Sequence, residues 1–440
     1  MKKLLLSMAA LPLVIGGLSV SASADDGLNI LNNIKVTGQI RPRYETADID
    51  NNTRERAKAY TVRTHLVVSA DLFEIPNLSV TLGLQSVNNF GSDKYNSTRN
   101  GPAGTGDTTY DVIGDPQQAM LSEASLDYKI NKTALHAGRS QVNLDNQRFI
   151  GTVGWRQLER SYDTVYVADN SVQNLSLLAA YVYGFQGVVG ADATTTHDTK
   201  SVLLNAKYKV MDELSITAYD YMESIAGYGN DTYGLALTGN LNVAGAKLDY
   251  RAEYAAQKDA SIEYQKTTAN TASYKADADY INLDLGANIN GILVGVNYEV
   301  LSGANASGTE TNFSPTLGTN HKFNGWADVF YVGPNSTPNG GLVDANIRLG
   351  YTAPGFGKLL AVYHDFTSDT TRLTDVNTVA TDDLGTEFDV VYTNKIPGVK
   401  NLTGLIKYAS YSKGAATSYA NAANDKNVAW LMLDYKFSVN

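Results

Sequence analysis

From residue 35 onward the chain alternates apolar and polar side chains in stretches of about ten residues, the signature of β-strands with two chemically different faces. In Ala246 to Tyr254, residues Ala246, Leu248, Tyr250, Ala252 and Tyr254 share one face, and Lys247, Asp249, Arg251 and Glu253 the other. Near the start, Ile40, Pro42 and Tyr44 oppose Gln39, Arg41, Arg43 and Glu45; near the end, Ala429, Leu431, Leu433, Tyr435 and Phe437 oppose Asp434 and Lys436. Aromatic residues gather towards the ends of the apolar faces, as expected of a lipid-facing band around a wet interior.

Connection lengths point the same way. The pattern predicts eighteen strands, near 35–46, 58–72, 77–88, 119–130, 133–141, 161–169, 174–187, 199–211, 213–224, 230–241, 245–257, 276–289, 291–302, 341–352, 357–368, 383–394, 401–412 and 426–437. Every second connection is short, as at Asn131-Lys132, Asn290 and the Pro-bearing Ile75-Pro76-Asn77 and Ile396-Pro397-Gly398, while those between are mostly long, including 89–118, 142–160, 258–275 and 303–340. Short turns on one side and long loops on the other are the habit of outer-membrane barrels. Inside a bilayer every backbone amide must be paired within the protein, which a sheet achieves only by closing. The expected fold class is therefore all-β, a transmembrane antiparallel β-barrel of about 18 strands with short periplasmic turns and long extracellular loops. Such a barrel would enclose an aqueous lumen. Gly325 to Val332 is a candidate for a further short strand.

Lys2 and Lys3, the apolar run Leu4 to Leu18 and the small-residue site Ala22-Ser23-Ala24 read as a secretory signal peptide over 1–24, leaving 25–440 as a single outer-membrane barrel domain. Losing the two lysines takes the formal charge from −10 to −12, which gives no support to a nucleic-acid partner. With no cysteine, thiolate metal sites, redox motifs and Cys nucleophiles are excluded. Five scattered histidines lack zinc-site spacing, and the Asp and Asn of the loops lack EF-hand spacing, so no catalytic residue, metal or cofactor is expected.

Ten of the arginines fall in the first third of the mature chain. Arg41, Arg43, Arg63, Arg139, Arg148, Arg156, Arg160 and Arg251 are the candidates for lining the pore and setting selectivity, because the guanidinium fork suits carboxylates. The alternative is that they pair with Glu45, Asp71, Glu123, Asp127, Asp145 and Glu159 and hold the wall in register. Segment 142–160, the third long connection, is the candidate constriction loop, with Asp145, Asn146, Gln147, Phe149, Trp155 and Glu159; Trp326 and Asp328 form a second inward candidate.

The run Gly138-Arg139-Ser140-Gln141, Leu144 to Gly151, Val153 to Gln157 and Tyr162-Asp163 resembles the signature region of the alginate export family of outer-membrane proteins, and Phe323 to Asp328 with Gly341 to Asp344 is similar to a second segment of it. The resemblance implies a barrel of this size passing solutes across the outer membrane. The expected function is a porin for passive diffusion of small hydrophilic solutes, anionic ones included. A dedicated channel for an acidic polysaccharide such as alginate, and a structural or adhesive barrel without transport, are the alternatives. Expected partners are outer-membrane lipid, the solutes and the barrel assembly machinery, with the barrel a monomer.

Overall fold

The structure is a computed structural model and describes residues 30–50, 53–97, 107–189, 196–225, 228–259, 275–303, 310–330, 340–371, 373–374, 377–419 and 422–439. The expected signal peptide lies outside them, as do most of loop 258–275 and parts of 89–118 and 303–340.

Among the described residues eighteen long strands form one antiparallel sheet. They are β1 Leu31–Ile49, β2 Ala57–Leu72, β3 Leu78–Asn88, β4 Gln118–Ile130, β5 Thr133–Ser140, β6 Ser161–Asp169, β7 Leu175–Gln186, β8 Thr196–Met211, β9 Leu214–Ile225, β10 Tyr228–Val243, β11 Ala246–Asp259, β12 Lys275–Ile289, β13 Ile292–Ser302, β14 Gly341–Ala353, β15 Gly357–Thr367, β16 Asp383–Lys395, β17 Leu402–Lys413 and β18 Lys426–Val439. Each pairs with its neighbour in sequence, and β1 closes the barrel on β18 through pairs such as Tyr44 with Leu431 and Gly38 with Phe437. The Phe437 ring lies over Gly38, where an added Cβ would meet it at 2.2 Å.

All eighteen expected strands are present, with ends within four residues of the reading. The short turns use the left-handed backbone expected there: Asn77, Asn131, Asn290, Asn401 and Gly398 all have φ between 51° and 79°. Gly325 to Phe330 is not a strand but a series of turns, and residues 331 and 332 are outside the described residues. The backbone amides of Trp326 and Ala327 are taken by the barrel-wall carboxylates of Asp389 and Glu387 rather than by a neighbouring strand.

The outer face is an apolar band, with Leu82, Leu84, Leu126, Val165, Leu235, Leu283, Val294, Ile347, Leu349, Ile406 and Leu431 exposed. Aromatic rows border it: Tyr44 on Tyr60 at 4.6 Å towards the long-loop end, and Tyr351, Phe356 and Tyr392 at 5.2 and 5.5 Å by the turns. No described helix is long and apolar enough to cross a membrane.

The interior departs from the expected open lumen. Segments 142–160 and 310–330 fold inward and pack apolar side chains against the wall. Phe149 sits among Tyr280 at 5.1 Å, Tyr219 at 5.5 Å and Phe313 at 5.8 Å. An eighteen-stranded ring is too wide for wall side chains to meet across it. The loops carry Phe149, Ile150, Phe313 and Phe330 inward and so build the core that the wall alone could not.

Candidate functional site

The site is assembled where the first inward segment meets the wall of β1 to β3. Strand alternation turns Arg41 and Arg43 to the lumen, and both are buried. Arg41 donates to the carbonyls of Gly154 (2.9 Å) and Arg156 and to Gln157 Oε1 (3.0 Å); Arg43 donates to the Trp155 carbonyl and faces Asp115 (3.4 Å) and Glu45 (3.5 Å). Two wall guanidiniums thus capture three consecutive loop carbonyls that have no strand partner. Gln157 adds bonds to Thr61 Oγ1 at 2.8 Å and to Asp115 Oδ1 at 2.9 Å. One turn on, Arg63 pairs with Glu159, whose main chain is gripped on both sides by the Gln85 amide at 2.8 and 3.1 Å. Burial by itself would raise the Glu159 carboxyl, but Arg63, with Arg41 and His65 behind it, holds it below the usual carboxylate range.

The second inward segment docks on the first. Gly151 N–H donates to the Leu317 carbonyl and Thr319 N–H to that of Gln147, each at 2.9 Å. Arg148 has a side chain with 0% exposure: it pairs with Glu299 at 2.8 Å, donates to Asn320 at 3.0 Å and Asn324 at 2.9 Å, and lies 4.7 Å from the Phe323 ring centre. Arg156 bridges Glu45 at 3.1 Å to Asp328 at 2.7 Å, joining wall, first loop and second loop. Asp328 accepts from His321 Nδ1 at 2.7 Å, and His321 Nε2 accepts from Lys407 at 2.7 Å. Burial, reinforced by Lys407 and opposed by Asp328, pushes the His321 imidazole down to about 3, so the ring is neutral and its tautomer is fixed by these two partners. The ring also stacks on Trp155 at 5.0 Å. All three tryptophans of the chain surround Lys407, whose ammonium is 4.0 Å from the Trp155 and Trp326 ring centres and 5.0 Å from that of Trp430. Arg251 ties Asp145 to Glu253, and Lys322 reaches the Asn146 carbonyl at 3.0 Å.

The expected arginine cluster is real, yet its members do three different things. Arg41, Arg43, Arg63 and Arg251 face the lumen as the alternation requires, but as loop anchors more than as free lining. Arg148 does not line the pore, since it is sealed between the two loops. Arg139 is on the wrong side of the wall. In β5 the outer face carries Leu135 and Ala137 and the inner face His136, and the same period turns Arg139 outward. There it grips Asp163 with Nε at 2.6 Å and Nη2 at 2.7 Å, beside exposed Val165 and Val167. Arg156 and Arg160 are half-buried; Arg160 donates to the carbonyls of Gly151 (3.2 Å) and Leu317 (2.5 Å).

Of the anticipated carboxylate partners, Glu45, Asp145 and Glu159 are used by arginines. Asp71 takes Asn33 instead, Glu123 faces His65 and Asp127 takes His136. Asp115, Glu299, His321, Lys407 and Trp430 were not anticipated. The alternation does turn Lys407 inward, but nothing local names partners 81 to 252 positions away.

Beneath the docked loop, at the turn end of β1, β2 and β18, a cavity of about 810 Å³ opens on the lumen side. Gln39, Arg41, Arg63, His65, Gln141, Glu159, Asp434 and Lys436 bring polar groups to it.

A closed eighteen-stranded antiparallel barrel with an apolar waist and inward loops is the fold of outer-membrane channels. Among solved structures the chain is similar to OccAB4 of Acinetobacter baumannii, with a TM-score of 0.69 at 14% identity over 94% of this chain and 100% of that one. It is similar to OccK8 (OprE) of Pseudomonas aeruginosa, TM-score 0.67 at 14% identity over 93% and 100%, and to OpdK of the same organism solved with vanillate, TM-score 0.66 at 13% identity over 93% and 100%. At such identity the likeness is one of fold. No family model and no curated protein matches, so the resemblance to the alginate export family finds no support.

Proposed function

We propose that the chain is an outer-membrane channel for passive diffusion of small hydrophilic solutes, with a bias towards anions. The observation that carries this reading is the pair of inward loops fastened to the wall by hydrogen bonds and buried ion pairs, which narrows the lumen. Below them lies a cavity with Arg41, Arg63 and Lys436 against Glu159 and Asp434. Charges at the narrowest, least solvated point govern selectivity, while distant surface carboxylates are screened within a Debye length of about 8 Å. The solved OpdK complex with vanillate supports small organic anions as the class to try first.

Reconstituted protein should conduct in a planar bilayer, reverse at an anion-selective potential in a salt gradient, and swell liposomes with small carboxylates faster than with uronate oligomers. The crowded lumen argues against polymer passage. It also gives a plugged, non-transporting barrel its one favourable observation, and absence of conductance from folded protein would establish that reading instead. Residues 1–24 serve in this proposal as the export signal and 25–440 as one barrel domain delivered by the barrel assembly machinery and working as a monomer. None of its residues is assigned a catalytic role.

A further inference from the structure

The outer wall carries, above the lipid-facing band of β1 and β2, a charged pocket that permeation does not use. Tyr44 and Tyr60 pack together on the outside, their tilted rings 4.6 Å apart, above exposed Ile40. Beyond them towards the long-loop end, Ala57 and Ala59 are buried on the inner face, so the strand period turns Lys58 and Arg56 outward, and both are exposed. Lys58 N–H donates to the Lys94 carbonyl at 2.7 Å, which brings the two lysines side by side; buried Tyr95 next in the chain leaves Lys94 on the outside. Asp48, Glu55, Arg56, Lys58, Lys94 and Tyr110 bound a cavity of about 410 Å³. Arg56 is engaged by Asp48. Among the described residues neither Lys58 nor Lys94 forms an ion pair within 4.0 Å, and Asp48 is taken by Arg56, so the cavity holds three cations against the two carboxylates of Asp48 and Glu55. Across the barrel the outer face has the opposite balance: Lys258 is paired with Asp277, and Asp279 accepts from Tyr254 at 2.6 Å.

We propose that Lys58 and Lys94 bind a phosphate borne on a glycolipid headgroup of the outer leaflet. Two adjacent ammoniums meet a phosphate's multiple oxygens and its double charge, removing their mutual repulsion. The source is a lipid because the pocket opens above an outward aromatic pair: a phosphate at the lysines leaves attached acyl chains lying along Tyr44, Tyr60 and Ile40. The proposal concerns the outside of the wall and stands whether or not the barrel conducts.

The test is native mass spectrometry of the full folded chain in detergent with a diphosphoryl lipid-A-type glycolipid, its dephosphorylated form, and inorganic phosphate as competitor. The wild type should retain one phosphorylated glycolipid, and dephosphorylation or the double variant Lys58→Gln with Lys94→Gln should weaken retention roughly tenfold or more. Lys258→Gln should change nothing, and millimolar phosphate should not displace the lipid. Equal retention by the double variant, or of the dephosphorylated lipid, overturns the proposal; ready displacement by phosphate overturns the lipid assignment. Heat-modifiable gel mobility establishes that each variant is folded.

Discussion

Replacing Arg148 by Met tests whether the two inward loops are held by a buried ion pair or merely by apolar contact. The side chain is fully enclosed, with Glu299 at 2.8 Å also enclosed, and Asn320 and Asn324 complete its hydrogen bonds. Removing one partner of a buried pair strands the other charge, a cost of about 3–5 kcal/mol, because desolvation of Glu299 would go uncompensated. Met matches the aliphatic bulk of Arg, so little of this is cavity formation. The opening equilibrium of segment 147–151, read by hydrogen exchange in detergent-folded protein, should therefore rise roughly a hundredfold or more. Single-channel current should become larger and noisier as the loop leaves the wall. Adding Glu299→Gln removes the orphan charge and should restore exchange to within about 1 kcal/mol of the wild type, since a well-packed neutral replacement is often as stable as the pair. With both charges gone and the loop docked, the reversal potential should match the wild type, because neither group faces the passage. Unchanged exchange in the single variant, or a marked shift towards cations in the docked double variant, would refute the reasoning.

Other expectations are as direct. Gly138 has φ +130° and an added Cβ would meet the Ala124 carbonyl at 2.2 Å, so Gly138→Val should cost about 1–3 kcal/mol from backbone strain, with steric cost added, and reduce the folded fraction in heat-modifiable gel mobility. Arg139→Cys should react with a lipid-phase thiol probe and Arg251→Cys with a water-soluble one; the reverse pattern would show the register inverted. An imidazole that titrates near 6.5 when unfolded and is pushed down to about 3 when buried favours the docked state fully above pH 6.5, and its contribution declines as pH falls towards 3. Exchange of segment 320–330 should accordingly quicken through that window, and His321→Gln should flatten the slope.

The wall was legible because its rule is local: lipid outside and water inside impose a period of two on every strand, and misplacing a charge on the lipid face at mid-membrane costs about 2–4 kcal/mol. Arg41, Arg43, Arg63 and Arg251 obey it and point inward. Arg139 obeys it too, and strict application of the period to β5 would have turned it outward; grouping it with the other arginines by composition hid that. Its charge is tolerated on the outer face through bidentate pairing with Asp163. The lumen followed no such rule. Arg148 meets Glu299 across 151 positions and Asn324 across 176, and Lys407 meets His321 across 86. In a closed ring any inward residue can reach many loop positions, so the period names the face but never the partner.

That difference bears on how the barrel would discriminate between solutes. Three of the guanidiniums, those of Arg41, Arg43 and Arg63, spend donors on loop backbone, on Gln157, on Glu45 and Asp115, and on Glu159 and His65, and Arg148 is sealed. Half-buried Arg156, Arg160 and Arg251 are engaged as well, with Glu45 and Asp328, with the Gly151 and Leu317 carbonyls, and with Asp145 and Glu253, while Arg41 and Arg63 line the cavity beneath. Anchoring and selecting are thus coupled: the same charges that fix the loop set the field in the gap it leaves. In the proposed channel a solute would meet a field set by charges already held in place by the fold. Substitutions at these anchors, Arg156 and Arg251 included, should therefore change conductance and selectivity together.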